Sequence, residues 1–166
     1  MIYNPGKTTK IVIFIKLNVE IKNIHPDKPE VIRLFKLLDS HNLSHCPPEI
    51  CHLATPEKFI NENSILLGVF CDGILCGMGG LIIFTDYAEI TRMFVLDEYR
   101  GNKFSLKILN HLEQIAIERK VKVLKLETSE KFEKAFSIYL KYGFILCRPF
   151  GEYVAKPYNT YMEKYV

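Results

Sequence analysis

Apolar positions along the chain recur with two periods. Ile11–Ile15, followed by Val19 and Ile21, predicts a strand over residues 11–21. From Pro29 onward Val31, Ile32, Leu34, Phe35 and Leu38 fall at helical spacing, so a helix opens at that proline. Thr55-Pro56-Glu57 couples a capping residue to a helix-start proline and predicts a short second helix. Two apolar runs, Ile65–Cys71 and Ile74–Phe84, flank Asp72-Gly73, a strong hairpin signal, and Ala88–Leu96 reads as a further strand. Over residues 104–119 the stripe Ile108, Leu109, Leu112, Ile115 and Ala116 marks an amphipathic helix. Val121–Glu127 is strand again, and residues 130–142 form a helix terminated by Gly143 with Phe144 behind it. The tail Ile145–Val166 is strand-like but broken by Pro149, Gly151 and Pro157. The order β-α-α-β-β-β-α-β-α-β-β predicts an α/β fold, a mixed central β-sheet flanked by helices. With no repeat or linker, residues 1–166 read as a single domain.

Composition narrows the function classes. A net charge of +3, with 22 Lys and Arg scattered along the chain, gives no basic stripe for nucleic acid. No apolar stretch reaches roughly 18 residues, so no membrane span is expected. Five cysteines without framework spacing favour free thiols and a reducing, cytoplasmic setting. The cluster His45-Cys46-Pro47-Pro48-Glu49-Ile50-Cys51-His52 carries zinc-ligand types. Four residues, two of them prolines, separate its cysteines, and no second half-site follows. It reads as a loop between two helices, and no metal is expected.

The chemistry concentrates at residues 97–114, "DEYRGNKFSLKILNHLEQ". Strand, tight turn and helix N-terminus together make an anion site: first-turn N–H groups lack intrahelical partners, and the helix dipole adds positive potential. Gly101 permits close backbone approach, and Arg100 adds a fixed cation.

In their flanks, "AEITRMFVLDEYRG", the amphipathic helix, "VLKLET" and "AFSIYLKYGF" follow one another at spacings that resemble the GNAT family of N-acetyltransferases. The resemblance covers residues 65–166; before them only the layout agrees. It implies the acyl-CoA N-acyltransferase fold, with acetyl-coenzyme A (acetyl-CoA) as cosubstrate. An amine acceptor would attack the thioester directly, without an acyl-enzyme. The turn Arg100, Gly101, Asn102, Lys103, Phe104 and Ser105 would receive the pyrophosphate. Phe94 and Val95 would offer backbone groups to the pantetheine arm, where the family's strands splay. Tyr139 matches a tyrosine that protonates the leaving thiolate in many members, and Glu89 a strand glutamate that is general base in some. The acceptor side would be formed by residues 39–55 and the Arg148–Tyr158 loop, with Phe150 and Tyr153 as pocket walls.

Other readings of these residues stay open. Tyr139 is equally placed to be a core aromatic, and Phe150 and Tyr153 to close the sheet's core. Strict alternation puts Glu89, Thr91, Met93 and Val95 on one face and Ile90, Arg92 and Phe94 on the other, so position alone does not put Glu89 in a pocket. Two residues depart from the family pattern. Lys103 stands where a glycine is usual, and either pairs with a phosphate or obstructs it. Phe132 stands where many members carry an asparagine that touches the coenzyme arm. Both leave a second reading, a catalytically weakened acyl-CoA-binding sensor or interaction module. A homodimer paired through the C-terminal strands fits the layout.

Overall fold

The computed structural model describes residues 18–45, 47–48 and 54–166. The chain runs β1 (Val19–Asn23), α1 (Pro29–His45), a 3-10 turn (Pro56–Phe59), β2 (Ser64–Cys71), β3 (Ile74–Ile83), β4 (Ala88–Val95), a second 3-10 turn (Asp97–Tyr99), α2 (Phe104–Glu118), β5 (Val123–Thr128), α3 (Glu133–Lys141), β6 (Ile145–Cys147) and β7 (Thr160–Tyr165). This is the predicted order and the predicted α/β class. Residues 11–17, and most of the His45–His52 cluster, lie outside the described residues. The expected second helix is one 3-10 turn of four residues, and its N-cap Thr55 makes no side-chain cap bond. No helix among the described residues is long and apolar enough to cross a membrane.

The seven strands form one sheet in the order β1-β2-β3-β4-β5-β7-β6. Every neighbouring pair is antiparallel except β4 and β5. Asp72 and Gly73, both at positive φ (49° and 83°), turn β2 into β3. That double positive φ matches the twist of a two-residue hairpin and explains the Asp-Gly pair. On one face α2 and α3 bury Ile108, Leu109, Leu112, Tyr139 and Phe144 against Leu81, Ile90 and Leu124. On the other, α1 buries Val31, Leu34, Phe35 and Leu38 with Phe59 and Met78.

A bulge in β4 changes which side chains share a face. Met78 faces Phe94 and Gly80 faces Thr91, so Gly79 alone stands opposite both Arg92 and Met93. Arg92 carries the extra residue's conformation, with φ at 55°. The strict alternation expected from sequence therefore fails beyond Thr91. Ile90 belongs to the α2 side, where Met93 and Val95 also pack, whereas Phe94 packs on the α1 side.

The parallel pair is short. β4 and β5 are in register only at Ala88 with Leu124 and Glu89 with Lys125. Beyond those residues the two strands diverge while β4 runs on to Val95, and the gap between them opens toward the N-terminus of α2.

Candidate active site

A cavity of about 610 Å³ occupies that gap. Thr91–Val95 of β4 form one wall and Glu127–Ser129, at the end of β5, the other. Arg100, Gly101, Lys103, Phe104 and Ser105 close one end; Phe132, Ala135, Ile138 and Tyr139 come from α3 and its lead-in; His41, Asn42 and His45 come from α1.

Leu96 N–H donates to the Cys76 carbonyl at 2.9 Å, and Phe94 is in register with Met78. Antiparallel alternation turns the amide groups of Val95, the residue between them, the other way, toward the gap. Arg100 confirms that direction by donating Nε–H to the Val95 carbonyl at 3.2 Å. Its Nη2 meets Asp97 at 2.7 Å, so this guanidinium braces the turn as well as charging it. Asn102 does not line the cavity; its amide donates to the Tyr99 carbonyl at 3.0 Å and holds the turn from outside.

Gly101 (φ 87°) and Lys103 (φ 60°) both adopt left-handed backbone. Lys103 is the N-cap of α2 and makes no side-chain cap bond, so the helix starts with its amides uncovered. The lysine thus keeps the backbone shape that a glycine would take more easily.

Tyr139 is buried, lines the cavity and meets Phe144 edge to face at 5.9 Å between ring centres. Burial raises its phenol well above the ordinary range, so the proton stays on through neutral pH. The ring packs in the core and also lines the cavity.

Glu89 is buried too, but it does not line the cavity. Its Oε1 accepts the Tyr153 hydroxyl at 2.5 Å. Desolvation raises its proton affinity, while that hydrogen bond and the charge of Lys58 oppose the rise. Phe150 is buried among Tyr87, Tyr153 and Tyr161, with ring centres 5.3, 5.0 and 6.1 Å away. Neither Phe150 nor Tyr153 lines the cavity; they form an aromatic cluster beside it.

Two carboxylates do line the cavity, Glu133 at the start of α3 and Glu127 in the "VLKLET" strand, which the sequence did not single out; Glu127 is the one whose proton affinity is raised. It accepts from Asn159 at 2.5 Å. Burial, and then the nearby charge of Glu89, push it up to about 8, against the opposing charge of Lys156 and the Asn159 hydrogen bond. The available signal was a polar residue at the last turn-out of a buried strand. Its proximity to Glu89 and Asn159 is long-range and was not legible.

Phe132 stacks on His41, with ring centres 5.7 Å apart, and lies 5.4 Å from His45. The residue replacing the family's usual asparagine is therefore part of an aromatic roof shared with α1.

Comparison with known proteins gives these features a context. The sequence model of the acetyltransferase (GNAT) family matches residues 29–144. YedL of Escherichia coli (strain K12), an uncharacterised N-acetyltransferase, is 30% identical over 138 residues, 81% of this chain and 87% of its own. A spermidine N(1)-acetyltransferase of Thermoplasma acidophilum is 29% identical over 96 residues, 53% of this chain and 60% of its own. Among solved structures, a protein of Klebsiella pneumoniae assigned as an acyl-CoA N-acyltransferase superposes with a TM-score of 0.75 at 25% identity, covering 89% of this chain and 97% of that one. The PaiA N-acetyltransferase of Thermoplasma acidophilum, solved in complex with coenzyme A, shares the fold with a TM-score of 0.70 at 20% identity, over 90% and 99% of the two chains. The chain belongs to the acetyltransferase (GNAT) family and is an N-acetyltransferase by class.

Proposed function

We propose that the protein transfers the acetyl group of acetyl-CoA to a primary amine bound in the β4–β5 gap. The observation that carries this reading is the gap itself. The Val95 amide, an uncovered helix N-terminus, a buried tyrosine and a carboxylate of raised proton affinity converge on one cavity.

The α2 amides, with Arg100 and Lys103 beside them, supply the field for a pyrophosphate. Val95, turned toward the gap, supplies an N–H for the pantetheine arm or for the oxygen that becomes negative as the amine adds. An ammonium with a pKa of ~10 must lose a proton before it can attack. Glu127, whose proton affinity burial has raised, is suited to take it. The nitrogen then adds to the thioester carbon; the adduct gives up its second nitrogen proton to solvent, which also restores the proton Tyr139 gives away, the carbon–sulfur bond breaks, and the thiolate leaves. Tyr139 keeps its proton at neutral pH, so it can donate a hydrogen bond to that thiolate and yield the proton as charge builds. Glu89, tied to Tyr153, acts through the charge it places beside Glu127.

Two expectations from sequence stay with this proposal. The free thiols Cys71, Cys76 and Cys147 support a reducing, cytoplasmic setting. The edge position of β6, with Ile145 and Leu146 exposed, supports a homodimer paired at that edge.

Acetyl-CoA should raise the melting temperature, because a ligand bound only by the folded state stabilises it by mass action. It should also release thiol when a panel of amines is added. A shift without turnover on any amine would favour the sensor reading. No shift at millimolar acetyl-CoA would reject both.

A further inference from the structure

We propose that the acceptor is an amine that also carries a carboxylate, an amino-acid-type zwitterion whose acid end is held by Arg92 and whose ammonium faces Glu127. This rests on the transferase reading above and names the substrate class for the same cavity.

Arg92 lines the cavity from the β4 bulge and is 6% exposed. Its guanidinium is fixed on two sides: the Phe35 ring lies under it, 4.8 Å from Cζ to the ring centre, and Asp39 of α1 engages Nη1. Nε is buried and hydrogen-bonds no described residue. An orphaned buried donor is costly, so a native site that keeps one calls for an acceptor from outside the chain, a water or a ligand group; beside the cavity, a ligand carboxylate supplies it. Asp39 occupies a single terminal nitrogen. The long edge of the guanidinium, Nε with Nη2, is the edge that takes a carboxylate through two parallel hydrogen bonds.

The cavity is lined by both signs, Arg92, Lys131 and Lys134 together with Glu127 and Glu133. Asn159 holds Glu127. A zwitterion matches that mixed lining, its acid end meeting Arg92 and its ammonium Glu127. A polyamine has no anionic group to offer the open edge of Arg92. Arg92 ties β4 to α1 through Asp39 and Phe35, and its remaining edge is left for the acceptor.

The test compares matched pairs. Each of the standard amino acids is assayed for acetyl-CoA-dependent thiol release beside its own decarboxylated amine. The expected result is at least one pair in which the amino acid is favoured about tenfold or more in kcat/KM, most of it in KM, because a site built to hydrogen-bond a group rejects the analogue lacking it. Arg92→Lys keeps a cation for Asp39 but loses the planar edge, and should shrink that ratio to about threefold or less. Decarboxylated amines or spermidine equal to or better than every amino acid would overturn the proposal, as would a ratio that survives Arg92→Lys. If no member of any pair turns over, calorimetric titration of the same amino acids into the coenzyme A-bound protein decides. Saturable binding lost in Arg92→Lys sustains the proposal, and no binding rejects it. The transferase reading fails by a different sign, the absence of acetyl-CoA binding and of turnover on every amine, spermidine included.

Discussion

Tyr153 donates its hydroxyl hydrogen to Glu89 across 2.5 Å, joining residues 64 positions apart. The bond pins the loop after β6 onto β4. It also distinguishes the buried Glu89, committed to a structural partner, from the half-buried Glu127, which faces the cavity.

Tyr153→Phe removes that donor and leaves Glu89 buried without it. Stability should fall by about 1–3 kcal/mol where the carboxylate is charged. The folded-state proton affinity of Glu89 is already raised, and losing the hydrogen bond raises it further. A raised carboxylate contributes fully at low pH and is lost as pH climbs from the ordinary glutamate range through the raised value. The deficit of the variant should thus be small in acid and grow toward neutrality, which urea unfolding at about pH 4.5 and about pH 7.5 will read. Equal deficits at both values would detach the effect from Glu89.

Glu127→Gln should cost about a hundred- to ten-thousand-fold in turnover. In the wild type the acidic limb of the rate should rise with a midpoint near 8, the value to which burial pushes this group. The limb should vanish in the variant. Stability should move the opposite way: the wild type loses stability as pH rises toward about 8, and glutamine removes that loss. A pH–rate profile with an unaltered limb would assign the base elsewhere.

Tyr139→Phe removes a donor and little volume. Turnover should drop by roughly ten- to a thousand-fold, with acetyl-CoA affinity nearly intact. Single-turnover kinetics beside a binding isotherm separates the two quantities. An unchanged rate constant would leave Tyr139 with packing alone.

Lys103→Gly relieves a left-handed residue and should raise stability by up to about 1 kcal/mol. Coenzyme affinity should change by no more than about tenfold, or 1.4 kcal/mol, with a weaker dependence on salt, because one cation beside the phosphates is gone. Titrations at two ionic strengths check both parts. A large affinity gain with unchanged salt sensitivity would mean that the native lysine obstructs the site.

The ease with which each feature could be read from sequence follows its range along the chain. Pro29, Asp72-Gly73 and Gly143 mark boundaries because each acts on its own backbone, and all three stand where expected. Tyr139 and the turn at Arg100 were found through a pattern spanning adjacent elements. The β4 bulge was hidden, since nothing in "EITRMFV" announces an arginine at positive φ. The pairing opposite Gly79 sets it, and that belongs to another strand. Glu127 escaped for the same reason: its burial and its neighbours Glu89 and Asn159 come from β4 and from the segment leading into β7.

The brief register between β4 and β5 has a mechanical consequence. Two matched positions knit a leaf made of β1 to β4 to a leaf made of β5, β7 and β6. Beyond Glu89 the leaves are held by side chains and not by a continuous ladder, so this seam is where the sheet opens at least cost. A chain-like ligand lying in it, hydrogen-bonded to Val95 on one side and packed against β5 on the other, takes the place of an absent strand. Occupancy would then act as a strut. Amide hydrogen exchange along both lips of the seam should slow on binding, while the outer strands β1 and β6 keep the rates they had.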